Sequence, residues 1–218
     1  MKARLALAFL ALPAASLCAA QRPDGLLGTD YLSASMRYSN VDMGYYQDGL
    51  DLDYAGVGLR INKHIAEQRG VGMDISILAG TASNQNNTSE YSRDTYDYSA
   101  ALTLYEQGNG VFSPCLSIIA GYQKTNFTDK LIGYKDNFDT AYFGGEAGVE
   151  MHLLPGLSLN PYVNYLYATD GDLGAQTSLG ASLNYWLTSR IGLCLDSNFT
   201  SDDHVDTVSF SAGIACHF

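Results

Sequence analysis

The feature that most constrains this chain is strict alternation of apolar and polar side chains, which is clearest in residues 206–218. One face of this stretch would carry small or polar side chains, and the other would carry Val208, Phe210, Ala212, Ile214, Cys216 and Phe218. A period of two predicts a β-strand, because successive side chains of a strand point to opposite faces. The sequence therefore predicts a final strand with one apolar face and an aromatic last residue.

The same alternation recurs along the chain and predicts ten strands. They cover residues 29–39, 51–62, 72–81, 94–106, 113–124, 137–153, 157–168, 176–187, 190–199 and 206–218. These lengths are close to the roughly 9–11 residues with which a tilted strand crosses a bilayer. The odd-numbered connections are longer, polar and acidic, whereas the even-numbered ones are mostly short and contain Gly, Pro or Ser.

Strands of uniform length, joined alternately by long and short connections, favour a closed antiparallel transmembrane β-barrel. A secreted β-sandwich would also alternate, but it does not explain the loop lengths. Closure matters because it leaves no strand edge unpaired in lipid. We expect an all-β fold with ten strands, and eight or twelve are the alternatives if a hairpin is misassigned.

The last strand resembles the closing strand of bacterial outer-membrane β-barrels, because it alternates and ends at Phe218. The resemblance is to the class of small porin-like and OmpA- or OmpX-like barrels, and to no specific family within it. We accordingly expect a monomer in the outer membrane of a Gram-negative-type cell, reached by export through the periplasm. Its expected partners are outer-membrane lipid, lipopolysaccharide and the insertion machinery, which would read a signal formed by Phe210, Ile214 and Phe218.

The first residues predict a cleavable secretory signal peptide over residues 1–20. Lys2 and Arg4 precede an apolar run that is too short to span a bilayer, and small residues follow it. Residues 21–218 would then form one barrel domain, with residues 21–27 as no more than a tail.

The overall charge excludes one class of partner. The chain carries 12 Lys and Arg against 23 Asp and Glu, a net charge of −11. Loss of Lys2 and Arg4 with the signal peptide would leave ten basic residues against 23 acidic ones, a net charge of −13. So acidic a surface argues against nucleic acid as a partner.

No disulfide is expected, since Cys115 and Cys194 are predicted on strands far apart around the wall.

Seven charged side chains on the predicted inner face would line the lumen: Arg37, Arg60, Asp74, Asp97, Glu146, Glu150 and His152. Isolated charges are costly to bury, so these side chains should be paired or hydrated. One interpretation is a network that fills the lumen and stiffens the wall. The other is a narrow pore whose acidic excess favours cations. Inward glycines fit both, since they either leave room for a pore or relieve crowding between large side chains.

Aromatic residues are predicted in two belts at the membrane interfaces. The outer belt would comprise Tyr38, Tyr54, Tyr96, Tyr98, Tyr122, Tyr142, Tyr165, Tyr167 and Phe199. The thinner inner belt would comprise Tyr31, Tyr105, Tyr185 and Phe218.

Acidic residues concentrate in the predicted outer loops, and the candidate cluster there is Asp170, Asp172, Asp202, Asp203 and His204. Solvated loops account for it, and because most of a Ca²⁺ loop is missing we expect no metal and no cofactor. Omptin-like proteases are ten-stranded barrels with acidic residues and a His at the extracellular rim, which this cluster resembles. The chain is too short for their projecting strands, and their second acidic pair cannot be placed on it, so no enzymatic activity is expected.

Three functions follow as hypotheses. The first is a structural barrel or a small passive porin with a preference for cations. The second is a surface-binding or adhesion barrel that acts through outer-loop aromatics such as Tyr45, Tyr46 and Tyr91. The third, most distant, is a rim hydrolase that depends on Asp203 and His204.

Overall fold

The computed structural model describes residues 23–42, 51–66, 70–85, 90–106, 111–130, 133–169, 174–202 and 205–218. The described residues form ten strands: β1 (Tyr31–Asp42), β2 (Asp51–Ala66), β3 (Val71–Gln85), β4 (Glu90–Tyr105), β5 (Phe112–Asp129), β6 (Tyr134–Leu154), β7 (Leu157–Ala168), β8 (Ala175–Trp186), β9 (Ile191–Ser201) and β10 (Asp206–His217). No helix in this described part is long and apolar enough to cross a membrane.

The strands close into one antiparallel barrel, as the alternation predicts. Each strand pairs with its neighbours in sequence, and β1 pairs with β10 from Tyr31↔His217 to Asp42↔Asp206. We call the end where β1 begins and β10 finishes the terminal end, and the opposite end the loop end. Phe210, Ile214 and Phe218 all face outward from the wall near or on β10, where each is more than half exposed. Their recognition by an insertion machinery stays a prediction.

Several strands extend beyond their predicted limits at the loop end. β5 continues to Asp129 rather than stopping at residue 124, and β6 begins at Tyr134 rather than at residue 137. The added residues are mostly polar and show no apolar period. They remain paired because the ladder joins backbone groups, which do not require an apolar face.

The outer face of the wall is apolar, and Met36 and Ile118 are 72% and 69% exposed there. The inner face carries small hydroxyl residues, such as the pair Thr103 and Ser117, whose side-chain oxygens are 2.8 Å apart. This division follows from the two-residue period, which sends alternate side chains to lipid and to the lumen.

The prediction of two aromatic belts is wrong for four residues. Tyr54, Tyr142, Tyr31 and Tyr105 point into the barrel, and Tyr31 is only 2% exposed. Each shares the parity of the inner face, which overrides the general preference of tyrosine for the interface. The other outer-belt residues, together with Tyr185 and Phe218, lie on the outer face.

The expectation that the residues before β1 form only a tail is also wrong. Residues 23–30, which we call the plug, fold into the lumen at the terminal end and hydrogen-bond to side chains of β6 and β8. A buried backbone segment must satisfy its amide and carbonyl groups, and the inner face of this barrel supplies the partners.

Candidate functional site in the barrel lumen

The plug is held by the carboxylate of Glu150, an inward side chain of β6 that is 1% exposed. The amides of Leu26 and Leu27 donate to its two oxygens at 2.8 and 3.0 Å, and the Ser158 hydroxyl donates at 2.7 Å. Charge-assisted hydrogen bonds of this kind are stronger than neutral ones. Glu150 is therefore the anchor of the plug rather than a free charge on a pore wall.

A second anchor lies on β8. The indole Nε1 of Trp186 donates to the carbonyl of Gly25 at 3.0 Å, and Leu26 packs against the cluster that Trp186 forms with Tyr31 and Ala215. A side chain at position 25 would displace the Glu150 carboxylate, because a Cβ atom there would lie 2.5 Å from its carboxyl carbon. The plug thus has both polar and apolar contacts with the wall.

The plug joins β1 at Asp30, beside the end of β2. The Asp30 carboxylate accepts a hydrogen bond from the His64 amide at 2.7 Å and forms an ion pair with Lys63. Partial burial opposes the effect, but these contacts lower the pKa of Asp30 overall. The carboxylate therefore fixes the last residue of the plug to the rim of the barrel.

Above the plug lies a cavity of about 360 Å³, which we call the terminal chamber. Its charged lining consists of Arg60, Asp74, Glu146, Glu150 and Asp196. Arg60 Nε donates to Asp74 Oδ1 at 2.8 Å, and Asn62 donates to the same oxygen at 2.8 Å. Four carboxylates thus share this chamber with one guanidinium, so it is acidic.

Inward tyrosines lie over glycines of the adjacent strands in the middle of the lumen. A Cβ atom on Gly180 would lie 2.4 Å from Cζ of Tyr162, and one on Gly121 would lie 2.2 Å from Cζ of Tyr142. The hydroxyl of Tyr142 donates to Asp97, with both carboxylate oxygens at 3.0 Å. At these positions the glycines accommodate aromatic rings instead of leaving an open passage.

The loop end holds a second cavity of about 330 Å³, the loop chamber. It is lined by Arg37 and Arg93, by the Asp97–Tyr142 pair, and by Tyr54. The charges of the lumen are therefore unevenly distributed, with a carboxylate excess in the terminal chamber and two arginines beside two carboxylates, Asp97 and Asp202, in the loop chamber.

The structure places all seven predicted lumen residues on the inner face. Six line a chamber, and His152 lies beside the plug, where its Nδ1 is 3.3 Å from the carbonyl oxygen of Asp24. Of the predicted acidic loop cluster, Asp202 is described, and its carboxylate accepts from the Val205 amide at 2.6 Å. Asp170, Asp172, Asp203 and His204 lie outside the described residues, as do Tyr45 and Tyr46.

Sequence reasoning missed four inward residues: Arg93, Tyr162, Trp186 and Asp196. Parity alone would have assigned Arg93, which shares the face of Asp97, and Asp196, which alternates with Leu195. No sequence pattern pointed to Trp186 as a partner of the plug, because that contact joins residues 161 positions apart.

Comparisons with known proteins agree with this architecture. A family model described as an outer membrane protein beta-barrel domain matches residues 5–218. No match was found among curated proteins.

Solved structures with the same fold include the translocator domain of the autotransporter NalP from Neisseria meningitidis, with a TM-score of 0.55, 10% identity and coverage of 87% of this chain and 88% of that chain. The transport unit of the autotransporter AIDA-I from Escherichia coli has a TM-score of 0.50 at 12% identity, covering 87% and 90%. The outer membrane protease OmpT from Escherichia coli has a TM-score of 0.46 at 11% identity, covering 87% and 96%. For the first two of these structures the similarity concerns the fold alone.

Proposed function

Because the chain belongs to the outer membrane protein β-barrel family, we propose that it is a small passive pore that favours cations. The proposal includes no enzymatic step and no cofactor. It keeps outer-membrane lipid and lipopolysaccharide as the surroundings of the barrel, and the insertion machinery as the partner that assembles it after export through the periplasm.

The observation that carries this proposal is the acidic lining of the terminal chamber. Asp74 is neutralised by Arg60, whereas Glu146 has no ion-pair partner among the described residues. Rings of carboxylates in a narrow lumen attract cations and repel anions. The plug narrows the terminal mouth, so we expect a small conductance.

The test is conductance of the refolded chain in a planar bilayer under a KCl gradient, after a gel shift on boiling has verified a folded barrel. We expect discrete steps with a cation-selective reversal potential. Glu146→Gln should move that potential toward zero. Asp139→Asn, on the outer face of the same strand, should leave it unchanged. Anion selectivity, or equal potentials for both variants, would contradict the proposal.

The second candidate is a structural barrel that does not conduct. The plug and the tyrosines that cover Gly121 and Gly180 favour it, since they occupy much of the lumen. An inserted barrel that shows no current would support this candidate over the pore.

A further inference from the structure

The loop chamber contains two guanidinium groups that lack an ion pair with any carboxylate of the described residues. Arg93 projects from the inner face of β4, and its buried Nε has no hydrogen-bond partner among the described residues. Within the described part of the chain, Arg37 Nη2 donates only to the neutral hydroxyl of Ser209, at 2.9 Å. A partly buried guanidinium whose N–H donors are not all hydrogen-bonded favours a further acceptor, so the arrangement points to an anion as a ligand.

Two carboxylates line the same chamber, and each accepts a hydrogen bond from a neutral group. Asp97 accepts from the Tyr142 hydroxyl, and Asp202 accepts from the Val205 amide at 2.6 Å. The terminal chamber differs, because its one arginine is bonded directly to a carboxylate. The loop chamber therefore holds two guanidiniums and two carboxylates, and neither guanidinium forms a direct ion pair with a described carboxylate.

Uncharged polar atoms around the arginines are also unpartnered. Tyr54 Oη and the carbonyl oxygens of Asn164 and Asn198 are buried and have no hydrogen-bond partner among the described residues. All three residues line the loop chamber together with Arg93. Amide oxygens accept hydrogen bonds, so they suit a ligand that carries hydroxyl donors as well as a negative group.

The chamber also limits the size of the ligand. Its volume of about 330 Å³ lies at the lower end of the roughly 300–1,000 Å³ of small-molecule sites. We propose that the loop chamber binds a small hydroxylated carboxylate, about the size of one sugar-acid ring. Arg93 and Arg37 would hold the carboxylate, and Asn164 and Asn198 would accept from the hydroxyls.

The test is calorimetric titration of the refolded full barrel in detergent at low salt, with glucuronate as the probe and glucose as its uncharged counterpart. Glucuronate should bind and glucose should not, because the guanidinium fork matches a carboxylate. Arg93→Gln should weaken glucuronate binding about tenfold or more, the usual effect of losing a hydrogen bond to a charged group. Arg190→Gln, at the exposed terminal-end turn, should bind as the wild type does.

Folding of each variant is verified by its gel shift on boiling. If Arg93→Gln does not fold, Arg37→Gln takes its place, and the same loss is expected. Three results would overturn the proposal: a folded wild-type barrel that does not bind glucuronate, equal binding of glucose, or undiminished binding by the folded arginine variant. The titration involves no current, so its outcome is independent of whether the barrel conducts.

Discussion

Replacement of Glu150 by glutamine should release the plug. The carboxylate accepts from two plug amides and from the Ser158 hydroxyl. A glutamine keeps one acceptor oxygen but turns a donor NH₂ group toward the amide of Leu26 or Leu27. Loss of one charged hydrogen bond, with a partly buried N–H left unpaired, costs roughly 2–4 kcal/mol. The equilibrium constant for plug opening should therefore rise roughly 30- to 900-fold.

Amide hydrogen exchange measures this change directly. In the regime where reclosing is fast, the exchange rate of a plug amide scales with the opening constant, so the Leu26 and Leu27 amides should exchange faster by the same factor. Trp186 is the only tryptophan of the chain and is 1% exposed under the plug. Acrylamide should quench its fluorescence more strongly in Glu150→Gln than in the wild type.

Glu146→Gln is the matched control, because Glu146 lies on the same face of the same strand and is not hydrogen-bonded to the plug. The Leu26 and Leu27 amides of Glu146→Gln should exchange at the wild-type rate. If the two variants exchanged within threefold of each other, the carboxylate would not be what holds the plug, and the assignment of Glu150 as the anchor would fail.

Two further predictions concern packing and pH. Gly180→Ala should lower the free energy of unfolding in urea by about 1–3 kcal/mol, because the Tyr162 ring must move. Gly72→Ala is the control and should be neutral or stabilising. A Cβ atom on Gly72 would have its nearest neighbour 3.7 Å away. Burial opposes the shift, but the His64 amide and the Lys63 ammonium lower the pKa of the Asp30 carboxyl below its ordinary value of 3.8. Its carboxylate therefore stabilises the fold above pH 3.8, and the deficit of Asp30→Asn, measured by urea unfolding, should shrink as the pH falls below that value.

Most of the barrel wall could be predicted from the sequence, because lipid on one side and water on the other impose a two-residue period. The predicted and observed limits of β7 are both 157 and 168. Where the strands leave the apolar band, as β5 does after residue 124, that period ends although the backbone pairing continues to Asp129. Beyond residue 124 the sequence therefore has no apolar alternation that would indicate the continued strand.

The contents of the lumen were less predictable. The parity of Glu150 showed that it faces inward, but not that plug amides neutralise it. That contact joins residues 124 and 123 positions apart, and the plug sequence has no period. The positions of Tyr54 and Tyr142 in the alternation already indicated that both side chains face inward. They were nevertheless assigned to the outer aromatic belt because tyrosine generally prefers membrane interfaces.

The position of the plug also constrains the order in which this protein folds. Residues 23–30 come before the first strand, yet apart from the contacts of Asp30 with β2 their anchors lie on β6 and β8, with Ala215 of β10 in the same apolar cluster. The surface that binds the plug is assembled from strands late in the sequence, so it exists only after the barrel has closed. Contacts so distant in sequence carry the largest loop-closure entropy, which earlier pairing must reduce first. Ordering of residues 23–30 is therefore a late event, and burial of the indole beneath them marks its completion.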